Sequence, residues 1–282
     1  SFSVALTAVS AVLAVIIPPS ILMIVWGGLL TVSIGGLFLA GIVPGVLIAL
    51  VQMGTVHVYA KMRNYPTYAR VTLIETIKAI GVAIPALMTP VIIIGGKIFG
   101  WFTATESAAI AVLYATGLTM LVYREMDLKG LHHALLETGR LTGVALFAVG
   151  TASAFGWLLA YYQIPKTLLE GVATWGMGPI VTGFFIAGVF LVVGAFLDAI
   201  PAIVIVGTVL EPLAKSVGMD PIHFAMIGIV SLAFGLVTPP YGLCLMISAH
   251  IAGIRILDAL KDVFIMLLPM FAVLALVILW PD

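Results

Sequence analysis

The chain reads as an all-α polytopic membrane protein whose helices are interrupted at membrane depth, and three features of its residues lead there. Of 282 residues, 63% are hydrophobic and only 9% charged, with a mean hydropathy of +1.27. A soluble domain runs at roughly 45–50% apolar and about 25% charged; this chain cannot cover an outside surface with polar groups. The apolar residues also come in continuous runs, such as 141–161, 180–197 and 263–280, each close to the roughly 20 residues that span a bilayer as helix. A membrane barrel needs short alternating segments instead. Finally, several shorter apolar segments meet at proline breaks, and irregular backbone at membrane depth survives only where protein or a cavity surrounds it.

These features exclude a soluble enzyme, a nucleic-acid binder and a disordered chain. The 12 Lys+Arg balance 12 Asp+Glu, leaving no basic surface for a phosphate backbone, so no nucleic acid is expected as a partner. The lipid bilayer is. The single cysteine, Cys244, lies in an apolar run and reads as a small buried hydrophobe. No Gly-x-Ser-x-Gly elbow, His-Glu-x-x-His or Walker lysine motif occurs, so the chain does not read as an enzyme and no cofactor is expected. The chain opens at Ser1 inside an apolar stretch without a signal-peptide pattern, from which we expect a further N-terminal portion.

Apolar segments fall at about 4–17, 20–33, 36–59, 82–98, 106–123, 141–161, 178–197, 199–216, 222–237, 241–254 and 263–280. The short ones meet at four breaks: Ile17-Pro18-Pro19-Ser20, Gly100-Trp101-Phe102-Thr103, Leu197-Asp198-Ala199-Ile200-Pro201 and Val237-Thr238-Pro239-Pro240. Proline lacks an N–H and pushes the residue before it out of the helical region. Two in succession stop a helix and leave carbonyls without partners. The two Pro-Pro breaks have similar flanks, each followed by a short helix and a long span, and those spans carry Pro44 and Pro269. Matched interruptions in two halves mark the binding region of repeat-built transporters. The expected division is 1–60 as the end of a first repeat, 61–140 as interfacial helices and connecting spans, and 141–282 as a second repeat. Two polar stretches, 61–78 (with Lys61, Arg63, Tyr68, Arg70 and Lys78) and 124–140, read as amphipathic helices at the interface.

Intramembrane carboxylates come first among functional candidates. Asp198 fits two roles together, N-cap of a helix beginning at Ala199 and carboxylate beside a cation. Glu106, three residues after Thr103, matches a capping box. Asp220 before Pro221 reads as N-cap plus first-turn proline. His223 reads as interfacial, and neither it nor His250 has a metal-ligand partner at helical spacing. A hard cation such as Na⁺ takes oxygen. Carbonyls around Gly235 and Thr238, the hydroxyls of Ser20, Thr103 and Thr105, and Asp198 supply it. An anionic substrate prefers the free N–H groups of half-helix N-termini.

At these motifs the chain resembles the large membrane subunit of tripartite ATP-independent periplasmic (TRAP) transporters. The resemblance is carried by the segments around Pro18-Pro19-Ser20, Pro44-Gly45, Trp101 to Ala108, Phe196-Leu197-Asp198, Asp220-Pro221 and Thr238-Pro239-Pro240-Tyr241. It implies an inverted-repeat, elevator-type secondary transporter of the bacterial inner membrane. Such a transporter imports organic acids such as C4-dicarboxylates or sialic acids with Na⁺ as coupling ion. It works with a small membrane subunit and a periplasmic substrate-binding protein. It also implies cation sites near Pro18, Pro19 and Ser20 and near Thr238, Pro239 and Pro240, with Ser153 and Asp198 as further candidates. The alternative is a gradient-driven organic-anion permease of a related inverted-repeat family that needs no binding protein.

Overall fold

The computed structural model describes residues 1–65, 71–173 and 175–280, the side chains of 168, 169 and 173 excepted. The described residues form fourteen α-helices and two short π-helical turns, and no strand. In chain order the helices are α1 (Phe2–Ala11), α2 (Leu13–Ile16), α3 (Ile21–Leu29), α4 (Ile34–Met62), α5 (Leu73–Ile98), α6 (Ala104–Gly117) and α7 (Leu128–Tyr161). They continue as α8 (Ile164–Ala173), α9 (Pro179–Gly194), α10 (Ala199–Ala202), α11 (Thr208–Ser216), α12 (Pro221–Gly235), α13 (Leu243–Ile251) and α14 (Ile256–Leu279). The π turns, Leu118–Val122 and Ile203–Gly207, extend α6 and join α10 to α11. By length and composition six continuous helical stretches among the described residues can cross a bilayer, α4, α5, α7 and α14 among them. The pair Phe2–Ile16 and Ile21–Leu29, bent by 41°, makes a seventh if counted as one span. The protein is an all-α polytopic membrane protein.

The chain divides into two compact units, Ser1–Tyr59 with Leu146–Asp282, and Ala60–Ala145. The first is built around α12. Every residue from Phe224 to Gly235 is buried, the mark of a helix enclosed on all sides. It packs against α2, α3, α9, α10, α11 and α14. Lipid gives no hydrophobic drive for helices to associate, so close packing over small residues does that work. Gly228 lies under the Trp26 indole, where a Cβ would come within 2.2 Å of the ring. That ring stands 5.3 Å from Phe224 and 5.5 Å from Phe190, centroid to centroid. Gly235 meets Gly194 main chain to main chain, so a Cβ there would fall 2.6 Å from the Gly194 carbonyl carbon.

Helix α4 is held to this unit by long polar side chains. Gln52 Nε2 donates to the Val9 carbonyl (3.0 Å) and lies 3.3 Å from Met270 Sδ. Two turns on, the Tyr59 hydroxyl donates to Asp262 Oδ1, and Phe2 stacks on the Tyr59 ring. Asp262 is 3% exposed, inside a helix of membrane-spanning length. Glycines at 41 and 45 let α4 approach Ile16 and Ile17.

In the second unit α5 and α6 form a helical hairpin. Capping boxes open both: Thr72 with Glu75, and Thr103 with Glu106. The helices close over Gly96, where a Cβ would lie 2.7 Å from Ser107 Oγ. Tyr114 donates its hydroxyl to the Pro85 carbonyl (2.8 Å), in a helix carrying Pro85 and Pro90.

Two sequence expectations are corrected. Residues 61–78 do not form one interfacial helix. Lys61 ends α4, Thr72 caps α5, Lys78 lies in the second turn of α5, and Tyr68 and Arg70 lie outside the described residues. Residues 124–140 are not a separate helix either. Arg124 turns the chain with φ +55°, and from Leu128 the polar stretch runs without a break into the apolar part of α7. In both cases the charges mark the ends of long spans. Cys244 is half-buried, not enclosed.

Gly235→Ala should lower stability by about 1–3 kcal/mol, the usual effect of overpacking. Gly188→Ala, in open space on α9, should leave the thermal midpoint of the purified protein unchanged or slightly raised. Tyr59→Phe should lower stability by about 1–2 kcal/mol, as for hydrogen bonds inside membrane proteins. In a double-mutant cycle with Asp262→Asn the two effects should be non-additive.

Candidate functional site

The oxygen-rich positions of the first unit lie where its helices stop. Helix α2 ends at Ile16 and the chain turns extended at Ile17; Pro18-Pro19 follows with a cis bond. Ser20, 1% exposed, starts α3 but does not cap it. Its hydroxyl points back and donates to the Val15 carbonyl. The second Pro-Pro break is built alike. Helix α12 ends at Gly235, Thr238 Oγ1 donates to the Phe234 carbonyl (2.8 Å), and Pro239-Pro240 is again cis. Gly242 then takes φ +44° and starts α13, which also has no side-chain cap. That glycine is required: a Cβ would sit 3.3 and 3.4 Å from the Val237 and Thr238 carbonyl oxygens. Among the described residues no hydrogen bond reaches either oxygen.

The third break joins the second. Helix α9 ends at Gly194, and Asp198 stands before α10 with Oδ1 accepting the Ala199 N–H (2.8 Å). The Tyr241 N–H donates to the Ala195 carbonyl (2.9 Å) and the Cys244 N–H to Leu236 (3.0 Å). With the Gly194–Gly235 contact one turn away, the ends of α9 and α12 form one assembly. Thus Asp198 and the Thr238, Pro239, Pro240 break, 40 residues apart in sequence, share a neighbourhood. Pro18, Pro19 and Ser20 belong to the same unit, on the α2 side of α12.

The remaining candidates fare differently. Thr103, Thr105 and Glu106 belong to the second unit. Thr103 and Glu106 are engaged with each other: the Thr103 N–H and hydroxyl donate to Glu106 Oε2 (2.7 and 2.8 Å), and the Glu106 N–H donates to Thr103 Oγ1 (3.2 Å). Their arrangement is the capping box itself. Ser153 lies exposed on α7. Asp220 caps α12, accepting from the Ile222 and His223 N–H groups, and His223 Nε2 lies 2.8 Å from the Val277 carbonyl.

Sequence reading missed Asp262 and its partner Tyr59. The available signal was a second acid, after Asp258 and Lys261, in the polar first turns of a 24-residue helix that is apolar from Val263 onward. It also missed Gln52 and the buried hydroxyl of Ser231, which has no partner among the described residues.

Chemically, the breaks offer main-chain carbonyls, two hydroxyls whose protons are committed to carbonyls, and one carboxylate. Such an all-oxygen set suits a hard cation. The described residues hold no cluster of three or more His, Cys, Asp or Glu side chains.

The family model described as "Tripartite ATP-independent periplasmic transporter, DctM component" matches residues 1–282. The sialic acid TRAP transporter large permease protein SiaM of Vibrio cholerae is 36% identical over 281 residues, covering 100% of this chain and 66% of that protein. The C4-dicarboxylate TRAP transporter large permease protein DctM of Pseudomonas aeruginosa is 35% identical, over 90% of this chain and 59% of its own length. The ectoine/5-hydroxyectoine large permease protein UehC of Ruegeria pomeroyi is 38% identical, over 86% and 56%. The chain therefore spans between about half and two thirds of these relatives, which are permeases rather than enzymes. With a match along its whole length, the chain belongs to the family of DctM components, the large permease subunits of tripartite ATP-independent periplasmic transporters.

Proposed function

We propose that the chain carries out Na⁺-coupled import of a small organic acid across the bacterial inner membrane. The carrying observation is the joined pair of helix breaks at Asp198 and Thr238. There the carbonyls of Val237 and Thr238 turn toward a glycine and meet no donor. Unwound carbonyls at discontinuous helices are where secondary transporters coordinate Na⁺. The break at Pro18, Pro19 and Ser20 repeats the design, with the hydroxyl again directed into its own helix, and is the proposed second cation site.

Substrate recognition follows from the other side of each break. Helices α3 and α13 begin without side-chain caps, so their first-turn N–H groups, that of Cys244 excepted because it donates to the Leu236 carbonyl, and their positive dipole ends remain for an anion. Sialic acid, C4-dicarboxylates and ectoine, for which the three relatives are named, all carry a carboxylate. A carboxylate held by backbone N–H groups is the feature expected of the substrate here. We further propose that 1–60 and 141–282 carry corresponding parts of two inverted repeats. These move as an elevator, with a small membrane subunit and a periplasmic substrate-binding protein as partners. The repeat is supported by the Pro-Pro pair at both breaks and by the proline-bearing long helices α4 and α14 that follow them.

In proteoliposomes containing the full transporter, uptake of a carboxylate substrate should require both an inward Na⁺ gradient and an added binding protein. Uptake indifferent to the binding protein would instead favour the self-sufficient permease, and uptake indifferent to Na⁺ would remove the coupling. At the level of residues, Thr238→Val and Asp198→Asn should each raise the Na⁺ concentration for half-maximal uptake by about tenfold, the effect of losing one ionic or hydrogen-bonding contact. Thr105→Ala should leave that concentration unchanged.

A further inference from the structure

A groove of about 700 Å³ opens in the first unit, and no residue of the three breaks lines it. Its walls are apolar: Leu39, Val43 and Leu47 of α4, Met226 of α12 and Leu276 of α14. At one end stand Asp220, His223 and Trp280. We propose that this groove is a binding site for one membrane phospholipid with a primary-amine headgroup, of the phosphatidylethanolamine class.

Position and length fit an acyl chain. Trp280 ends α14 with 68% of its surface exposed, as indoles do at the membrane–water interface. Asp220, the N-cap of α12, lies at the same end. From there the groove follows α4 from Leu39 to Leu47, about 12 Å at 1.5 Å per residue. That is most of one leaflet of a hydrocarbon core about 30 Å thick. Leu39 and Val43 are exposed, so the wall is open to a chain arriving from the bilayer. Helix α4 comes against α12 at the headgroup end, where Gly36 faces the Ile222 side chain.

Charge selects the headgroup. Asp220 is the charged side chain lining the groove, and no Lys or Arg lines it. Its Oδ1 receives the Ile222 and His223 N–H groups (2.8 and 3.2 Å), while Oδ2 carries no hydrogen bond among the described residues. The His223 ring is engaged with the Val277 carbonyl. A carboxylate with one oxygen left at the mouth of an apolar slot suits an ammonium group with three N–H donors. It disfavours a purely anionic head such as phosphatidylglycerol, and a quaternary choline offers it no N–H.

The test uses the full transporter, purified in detergent and returned to nanodiscs of defined lipid. Native mass spectrometry should find one phosphatidylethanolamine retained, preferred over phosphatidylglycerol and phosphatidylcholine by about tenfold. Asp220→Asn keeps the N-cap, since Asn caps as well as Asp; it should preserve the thermal midpoint while abolishing the preference. Val43→Trp should fill the slot and remove the bound lipid whatever its headgroup. Equal retention of the three lipids by the unaltered protein overturns the proposal, as does a preference that survives Asp220→Asn. A photo-reactive group at Val43 that captures protein in place of lipid also overturns it, because another helix then covers the groove. None of these readouts depends on transport, so they stand apart from the Na⁺-coupling experiment.

Discussion

Every main-chain N–H and C=O within hydrocarbon has to find a partner inside the protein, and the architecture follows from how that requirement is met. A continuous span such as α7 meets it internally and leaves its sides largely exposed. A helix that stops midway has carbonyls left over at its end and needs protein around them. Helix α12 is buried at every position from Phe224 to Gly235, and the cover continues over Leu236 and Val237 before loosening at the half-buried Thr238 and Pro239 and the exposed Pro240 and Tyr241. Packing against α2, α3, α9, α10, α11 and α14 covers the helix up to its end, and the unwound backbone begins where that cover gives way.

Enclosure this tight depends on missing side chains. Gly194 and Gly235 let two helix ends meet main chain to main chain, and Gly228 admits the Trp26 ring. The first contact also brings the Asp198 and Thr238 breaks together, so one pair of glycines serves both packing and the placement of the break oxygens. Where contact is looser, polar reach replaces it. Helix α4 is joined to its neighbours through Gln52 and Tyr59, and the space left between α4, α12 and α14 is the apolar groove that ends at Asp220.

What the sequence disclosed follows from the range of each interaction. The two Pro-Pro breaks were readable because proline acts on its own residue and the one before it. The Thr103–Glu106 box and the Asp220 cap were readable because their partners lie within three residues. Tyr59–Asp262 and Gln52–Met270 span 203 and 218 positions, and no local pattern announces such pairs. The meeting of Asp198 with the Thr238 break likewise needed the fold. The polar stretches 61–78 and 124–140 misled for a related reason. Charges concentrated over a few turns look alike whether they coat a surface helix or terminate a long span, and only continuity of the backbone into α7 distinguishes the two.

The hydrogen-bond directions at the breaks carry the cation argument furthest. Ser20 and Thr238 each send their hydroxyl proton into their own preceding helix, which leaves only oxygen lone pairs facing outward. Asp198 uses Oδ1 on the Ala199 N–H and keeps Oδ2, so capping a helix and facing a cation are compatible roles for one carboxylate. The Val237 and Thr238 carbonyls point toward Gly242, the one residue type that leaves room beside them. With protons committed inward and lone pairs left outward, the proposed coupling cation would meet ligands already oriented, and little reorganisation would oppose its entry or its release. Fixed orientation of this kind is what the proposed Na⁺ coupling would require of a site that fills and empties in every cycle.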